Sequence, residues 1–178
     1  MKGNIALIGF MGAGKSAVGR VLAEKLHMEY VELDSLIIKK AEKSIAEIFK
    51  EDGESVFRQI EIDTVKEAAQ QDRVVIACGG GIILNDLNIE RLRQTSMIVY
   101  LTAQPSVILK RVAQHSEKRP LLEVADPSSA VDNLLKFRKP LYERAADITI
   151  DTSDLTIDGV VSRIISELLK DASFNSQK

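Results

Sequence analysis

A run of glycines followed by lysine and serine, close to the start of the chain, has the spacing of a phosphate-binding loop. Residues 9–16 read GFMGAGKS, which fits Gly-x-x-x-x-Gly-Lys-Ser, and we call them the phosphate loop. An apolar run typical of a buried strand precedes them, and a helical pattern follows. In this context backbone N–H groups surround an anion, Lys15 reaches the β- and γ-phosphates, and the Ser16 hydroxyl group binds Mg²⁺. The sequence therefore predicts a site for a nucleoside triphosphate.

Two acidic residues, Glu32 and Asp34, come at the end of the second apolar run of the chain, residues 30–33. On one strand their side chains would point the same way, toward the carboxyl edge where α/β sheets bind ligands. One carboxylate would hold Mg²⁺ or its water molecules, and the other would accept a proton from an attacking hydroxyl group. The residues alone leave a plainer alternative open, in which Asp34 caps a helix and Glu32 is a solvated strand end.

Three consecutive glycines and two isolated arginines add to this set. Gly79, Gly80 and Gly81 follow the third apolar run, and their entropic cost favours a loop that touches a ligand over a flexible turn. Arg58 and Arg138 each stand beside apolar residues, which suits a bidentate grip on a carboxylate. Taken singly, each arginine is also compatible with a solvated position on a helix.

Two stretches depart from a regular alternation of strands and helices. Residues 35–70 read as a pair of helices suited to holding a substrate, and the charged segment at 114–126 is suited to a closing lid. Within that segment, Arg119 is placed to reach the transferring phosphoryl group. Arg111 is interpreted as an exposed helix residue rather than as a contact of the nucleotide.

The remaining chain alternates apolar runs with helical patterns, which predicts a parallel sheet covered by helices on both faces. The predicted strands are residues 5–8, 30–33, 74–77, 98–101 and 148–150. Residues 44–47 form a capping box that opens a short helix. Pro140 is expected to kink or split a helix over 128–145, and the final helix is predicted at about 156–169.

Composition limits the possible functions. The chain of 178 residues carries a net charge of −2, which gives no reason to expect a nucleic acid partner. Its only cysteine, Cys78, cannot form an internal disulfide, and no apolar run approaches the roughly 20 residues of a membrane-spanning helix. We therefore expect a cytoplasmic protein with one domain over residues 1–170 and a polar, disordered tail over 171–178. The size argues against motors and transporters, and the Asn-Lys-x-Asp motif of guanine-specific GTPases is absent.

Taken in order, the motifs resemble those of the shikimate kinase family over nearly the whole chain. They are GFMGAGKS, ELDSLI, FRQIE, GGG, RPLL and RKPLYERAAD. The resemblance implies an α/β, three-layer P-loop NTPase fold of the nucleoside-monophosphate-kinase type. Its five-stranded parallel sheet has the order 2-3-1-4-5, with a substrate-binding insert at about 34–61 and a lid at about 114–126. The implied reaction transfers the γ-phosphate of ATP to the 3-hydroxyl group of shikimate, with Mg²⁺, in the biosynthesis of aromatic amino acids.

The resemblance also assigns roles to residues of this chain. The implied catalytic residues are Lys15, Arg119 and the proposed base Asp34. The implied nucleotide-binding residues are Gly12, Ala13, Gly14, Lys15, Ser16, Ala17 and Arg119. The implied substrate-binding residues are Asp34, Gly79, Gly80, Gly81 and the two that grip the carboxylate, Arg58 and Arg138. The implied metal ligands are Ser16 and Glu32, and residues 151–155 correspond to a loop that lies against adenine.

Two residues depart from the usual pattern of the family. Glu32 stands where the family usually has aspartate, so the charge is kept and one methylene is added. Cys78 stands before the glycines in place of a small hydroxyl residue, and we assign it a packing role. The expected protein is a monomer whose partners are shikimate and ATP. Two alternatives remain: a related kinase acting on gluconate, a nucleotide or another hydroxylated acid, and a silent relative that only binds nucleotide.

Overall fold

A five-stranded parallel sheet lies at the centre of the protein. In the computed structural model, which describes residues 2–114 and 126–174, the strand order is β2-β3-β1-β4-β5. The strands are β1 (Asn4–Ile8), β2 (Glu29–Glu32), β3 (Val74–Ala77), β4 (Ser96–Thr102) and β5 (Ile148–Asp151). Every neighbouring pair is parallel. The predicted fold class and strand order are confirmed.

Helices cover both faces of the sheet. The helices are α1 (Lys15–Leu26), α2 (Leu33–Ala41), α3 (Ile45–Glu47), α4 (Glu54–Ala69), α5 (Asp86–Thr95), α6 (Pro105–Ala113), α7 (Pro127–Ala145) and α8 (Ile157–Leu168). Side chains of β1 alternate between two buried cores. Ala6 and Ile8 pack on the side of α4 to α7, whereas Ile5 and Leu7 pack on the side of α1 and α8. The apolar run is therefore buried on both faces, as parallel strands in this class usually are.

The connection between β2 and β3 forms a small subdomain with its own apolar cluster. Ser44 and Glu47 form the predicted capping box, in which the Ser44 N–H donates to Glu47 Oε2 at 2.8 Å. After α3 the chain makes a π-helical turn over Ile48–Asp52, and Gly53, with a φ of 87°, leads into α4. Helices α2 and α4 contact each other, and Ile37 of α2, Ile48 of the π-helical turn and Phe57 of α4 form the buried cluster. The predicted pair of helices is therefore three helices and a turn.

Three local predictions differ from the structure. Strand β2 ends at Glu32, so Asp34 lies in the first turn of α2 and not on the strand. Helix α7 continues unbroken through Pro140, because Val131 and Tyr142 are buried in one core on either side of the proline. The tail is not disordered from residue 171, since the buried Phe174 pairs with Lys2 beside the sheet.

Among the described residues, no helix has the length and apolar character needed to cross a membrane.

Candidate active site

The phosphate loop joins the end of β1 to the first turn of α1. Gly14 precedes the helix in a left-handed conformation, with a φ of 98°, and Lys15 is the first helical residue. Lys15 Nζ donates to the carbonyl oxygens of Gly9 and Phe10 at 2.8 and 2.9 Å. The ammonium group thus lies over the loop beside the positive end of the helix dipole, an arrangement that favours a bound anion.

Ser16 and Glu32, the predicted metal ligands, lie side by side. Ser16 Oγ donates to Glu32 Oε1 at 2.5 Å, and Arg20 Nη2 donates to Glu32 Oε2 at 3.0 Å. A hydroxyl group and a carboxylate are oxygen donors of the kind that Mg²⁺ accepts. The described residues contain no group of three or more acidic, histidine or cysteine side chains that would hold a metal alone. The pair therefore fits an ion that shares its coordination with phosphate and water.

Asp34 and Arg58 both lie against the glycine loop, residues 79–81. A Cβ atom on Gly79 would lie 2.8 Å from Asp34 Oδ1, and one on Gly81 would lie 2.8 Å from Arg58 Nη1. These distances are shorter than real Cβ contacts, so a side chain at either position would displace a charged group. The glycines therefore let Asp34 and Arg58 approach the backbone.

Arg138 approaches the same loop from α7. Its Nη1 is 3.5 Å from the carbonyl oxygen of Gly80, which also accepts a hydrogen bond from the Tyr142 hydroxyl group at 2.5 Å. The arginine is only 7% exposed, and its guanidinium carbon lies 5.9 Å from the centre of the Phe10 ring. Within the described residues, the buried Nε of Arg138 has no hydrogen-bond partner. Because unpaired buried donors are unfavourable, this arginine is suited to binding an anion.

Glu61 is a site residue that the sequence analysis missed. It is 2% exposed, and its two carboxylate oxygens accept from Arg58 Nη1 at 3.2 and 3.0 Å. Glu54 Oε1 accepts from Arg58 Nε and Nη2 at 3.2 and 3.1 Å. Burial raises the pKa of Glu61, and the Arg58 guanidinium opposes that rise. The spacings of three and four residues along one helix were the signal that could have indicated both contacts.

Asn88 lies behind this pair on α5. It is fully buried, and its Nδ2 is 3.5 Å from Glu61 Oε2. No sequence pattern pointed to Asn88, because its contact with Glu61 joins residues that are 27 positions apart.

Cys78 and Arg111 complete the comparison with the sequence. Cys78 is buried in the core, as its packing role requires, and burial raises the pKa of its thiol. The interpretation of Arg111 as an exposed helix residue is wrong, since it is partly buried and donates to the carbonyl oxygen of Gly12 at 3.2 Å.

Arg119 and nearly all of the predicted lid at 114–126 lie outside the described residues, so their roles stay predictions.

Gly80 brings the glycine loop close to the phosphate loop. A Cβ atom on this residue would lie 3.6 Å from both the carbonyl oxygen of Gly9 and the backbone nitrogen of Met11, in the phosphate loop. The loop beside Asp34, Arg58 and Arg138 therefore lies next to the loop suited to a triphosphate, with room for about one methyl group between them. One carboxylate and two guanidinium groups therefore lie around a glycine loop that is next to the phosphate loop.

Comparison with known proteins agrees with this geometry. Residues 11–169 match the sequence model of the shikimate kinase family. A shikimate kinase from Caldanaerobacter subterraneus subsp. tengcongensis is 44% identical over 167 residues, which are 94% of this chain and 96% of the relative. One from Thermodesulfovibrio yellowstonii is 45% identical over 164 residues, covering 92% of this chain and 94% of the relative.

Solved structures give the same result. Shikimate kinase from Acinetobacter baumannii in complex with shikimate superposes with a TM-score of 0.91 at 37% identity, covering 97% of this chain and 96% of the other. A gluconokinase from Sinorhizobium meliloti has a TM-score of 0.61 at 17% identity, covering 96% and 97%, and shares the fold alone. The chain therefore belongs to the shikimate kinase family, and it is a kinase.

Proposed function

We propose that this protein transfers the γ-phosphate of ATP to the 3-hydroxyl group of shikimate, and that it requires Mg²⁺. The single observation that carries the proposal is the convergence of Asp34, Arg58 and Arg138 on a glycine loop that lies next to the phosphate loop. Shikimate is a ring acid with one carboxylate and three hydroxyl groups, which matches two guanidinium groups and one carboxylate. The shikimate bound to the Acinetobacter relative supports this choice of substrate.

Arg58 and Arg138 would bind the shikimate carboxylate. Glu54 and Glu61 already hold the Arg58 guanidinium from two sides, which reduces the entropy lost when a ligand binds. The buried Nε of Arg138, which has no hydrogen-bond partner in the described part of the chain, would gain one when a carboxylate arrives. Together the two arginines would orient the ring so that one hydroxyl group faces the phosphates.

Asp34 would accept the proton of the 3-hydroxyl group as its oxygen attacks the γ-phosphorus. Its carboxylate lies at Gly79, one residue from the contact between the two loops. A general base must lie within hydrogen-bond reach of the proton that it removes. The bond from phosphorus to the β,γ-bridging oxygen breaks as the new oxygen–phosphorus bond forms, and ADP leaves with the negative charge.

Lys15 and Arg119 would bind the transferring phosphoryl group. Lys15 is already over the phosphate loop. Ser16 and Glu32 would hold the metal ion, which neutralises charge on the phosphates when it is bound. Most of the catalytic effect would come from positioning and electrostatics, as is usual in phosphoryl transfer.

The remaining organisation is part of the same proposal. Residues 1–170 would form one catalytic domain, with the segment at 34–61 as the substrate-binding insert and 114–126 as the lid. We propose a cytoplasmic monomer, which fits a small-molecule enzyme whose one cysteine is buried and unpaired.

A coupled assay that follows ADP release tests the proposal. With ATP and Mg²⁺, we expect release that depends on shikimate, and a phosphorus NMR spectrum of the product with a single phosphate monoester on the 3-oxygen. Gluconate and nucleoside monophosphates serve as control acceptors and should give only background release. The proposed function would be rejected if a folded protein that binds ADP formed no ADP from ATP in response to shikimate.

A further inference from the structure

A buried threonine behind the phosphate loop makes an unusual number of contacts. Thr152 follows β5 directly and is 2% exposed. Its Oγ1 accepts from Arg111 Nη1 at 2.9 Å and lies 3.2 Å from the carbonyl oxygen of Ala13 and 3.1 Å from that of Thr102. The Thr152 carbonyl oxygen accepts from Arg111 Nη2 at 2.8 Å. One side chain therefore joins β4, β5, α6 and the phosphate loop.

Helix α6 packs against the phosphate loop. Arg111 Nη1 also donates to the carbonyl oxygen of Gly12 at 3.2 Å. Gly12 has a φ of 75°, and a Cβ atom there would lie 3.1 Å from Val112 Cγ2 and 3.2 Å from the carbonyl oxygen of Ile108. The loop backbone thus lies close against α6, and a side chain at this position would push its neighbours on the helix away.

The segment after β5 also reaches the beginning of α6. Ser153 Oγ accepts from the backbone N–H of Gln104 at 2.9 Å and donates to Asp151 Oδ1 at 2.6 Å. Residues 151–153 therefore contact α6 at both of its ends, through Gln104 and Arg111. These contacts hold α6 against the sheet, and α6 in turn packs against the phosphate loop.

The contacts of Arg111 and Thr152 with the phosphate loop are made to its carbonyl oxygens, and such contacts restrict the direction of a peptide plane. Because a trans peptide is planar, a fixed carbonyl oxygen also fixes the N–H of the next residue, which points the opposite way. In the peptide between Gly12 and Ala13, the Gly12 carbonyl oxygen accepts from Arg111. The Ala13 N–H of the same peptide donates to the carbonyl oxygen of Phe10 at 3.2 Å. By the same geometry, holding the Ala13 carbonyl at Thr152 turns the Gly14 N–H toward the inside of the loop.

We propose that Thr152 is a positioning residue of the nucleotide site, which acts through the Ala13–Gly14 peptide on the phosphate groups of the bound nucleotide. The inference rests on the proposed function only in taking the phosphate loop as the nucleotide site. The hydroxyl group is the operative part, since its oxygen is the atom of Thr152 that lies 3.2 Å from the Ala13 carbonyl oxygen.

Three variants test the proposal by the dissociation constant of ADP with Mg²⁺, measured by calorimetry. Thr152→Val keeps the shape of the side chain without its hydroxyl group, and we expect ADP to bind about tenfold more weakly, as expected for the loss of one hydrogen bond. Thr152→Ser keeps the hydroxyl group and should bind ADP within about twofold of the parent protein. Thr149→Val removes an exposed hydroxyl group from β5, the strand that Thr152 follows, and should leave ADP binding unchanged.

Shikimate provides the second readout. In Thr152→Val we expect the KM for ATP to rise about tenfold while the KM for shikimate stays within about twofold. Should this variant fail to fold, Thr152→Ala is measured in its place with the same expected results. A role in stability alone would lower the melting temperature and leave the ADP constant at its parent value.

Three results would overturn the proposal. They are unchanged ADP affinity in Thr152→Val, equal weakening in Thr152→Ser, and a loss of ADP and shikimate affinity to the same degree. Because ADP binding needs no phosphoryl acceptor, the first two outcomes stay separate from a failure of shikimate turnover, which would count only against the proposed function.

Discussion

The two halves of the site are built in different ways. The phosphate half is one continuous stretch of backbone, in which the charge of Lys15 is added to N–H groups and a helix dipole. The proposed substrate half consists of the side chains of Asp34, Arg58 and Arg138 on three separate helices, and ion pairs and a glycine loop hold them in place. The backbone groups of the phosphate half depend on the few side chains that hold the loop, whereas the substrate half depends on each of its own side chains. Substitutions in the substrate half should therefore change kcat or the KM for shikimate and leave the affinity for ADP unchanged.

The largest effect is expected from Asp34→Asn. The amide cannot accept the proton of the attacking hydroxyl group, so kcat should fall by roughly a hundredfold to ten-thousandfold. The affinity for ADP should stay within about twofold, because the carboxylate lies at Gly79 and not in the phosphate loop. Steady-state kinetics and calorimetry measure both quantities. A kcat close to that of the parent protein would remove Asp34 from its role as base.

Glu61→Gln should come next in size. Loss of the buried carboxylate removes one of the two partners that orient Arg58, and the KM for shikimate should rise by about tenfold to a hundredfold. Glu54→Gln is the matched control, because it contacts the same arginine with a side chain that is 63% exposed. The control should change the KM by less than about threefold. Equal effects of the two variants would contradict the importance of the buried partner.

Glu61 also predicts a pH dependence of stability. Burial raises its pKa above the usual value of 4.5, so the folded protein binds this proton more tightly than the unfolded chain does. Its contribution to the free energy of unfolding is then greatest at low pH and declines as the pH rises from about 4.5 through the raised pKa. Urea denaturation of the parent protein and Glu61→Gln across this range measures the difference. Parallel pH profiles for the two proteins would contradict the prediction.

The glycine loop allows a finer division within the substrate half. In Gly79→Ala the new methyl group crowds Asp34, and we expect kcat to fall about tenfold with little change in the KM for shikimate. In Gly81→Ala the methyl group crowds Arg58 instead, and the KM should rise about tenfold with a smaller change in kcat. Each variant is the control for the other. If both variants changed kcat and KM in the same way, the separate assignment of Gly79 to Asp34 and of Gly81 to Arg58 would be contradicted.

Tyr142→Phe should have the smallest effect. The phenol donates to the Gly80 carbonyl oxygen from a fully buried position, and burial raises the pKa of Tyr142, which keeps the phenol neutral. Loss of this bond should lower the free energy of unfolding by about 1 kcal/mol and raise the KM for shikimate by about twofold to fivefold. Thermal and urea unfolding give the first value, and kinetics give the second. An unchanged KM would leave the tyrosine with a role in packing alone.

The same contrast explains what the sequence could predict. The strands and the phosphate loop depend on local patterns, and β3 was predicted with its observed ends. The placement of Asp34 failed in detail because β2 has only four residues and α2 begins at Leu33, which no residue pattern marked. The contacts of Arg111 with Gly12 and Thr152 span 99 and 41 residues, so only the folded chain brings them together.

A crystal structure of the protein with ADP, Mg²⁺ and shikimate tests the central claim most directly. We predict that the shikimate carboxylate lies between Arg58 and Arg138, and that its 3-hydroxyl oxygen lies about 3 Å from an oxygen of Asp34, facing the β-phosphate of ADP. Shikimate bound away from the glycine loop, or with its carboxylate on neither arginine, would contradict the account.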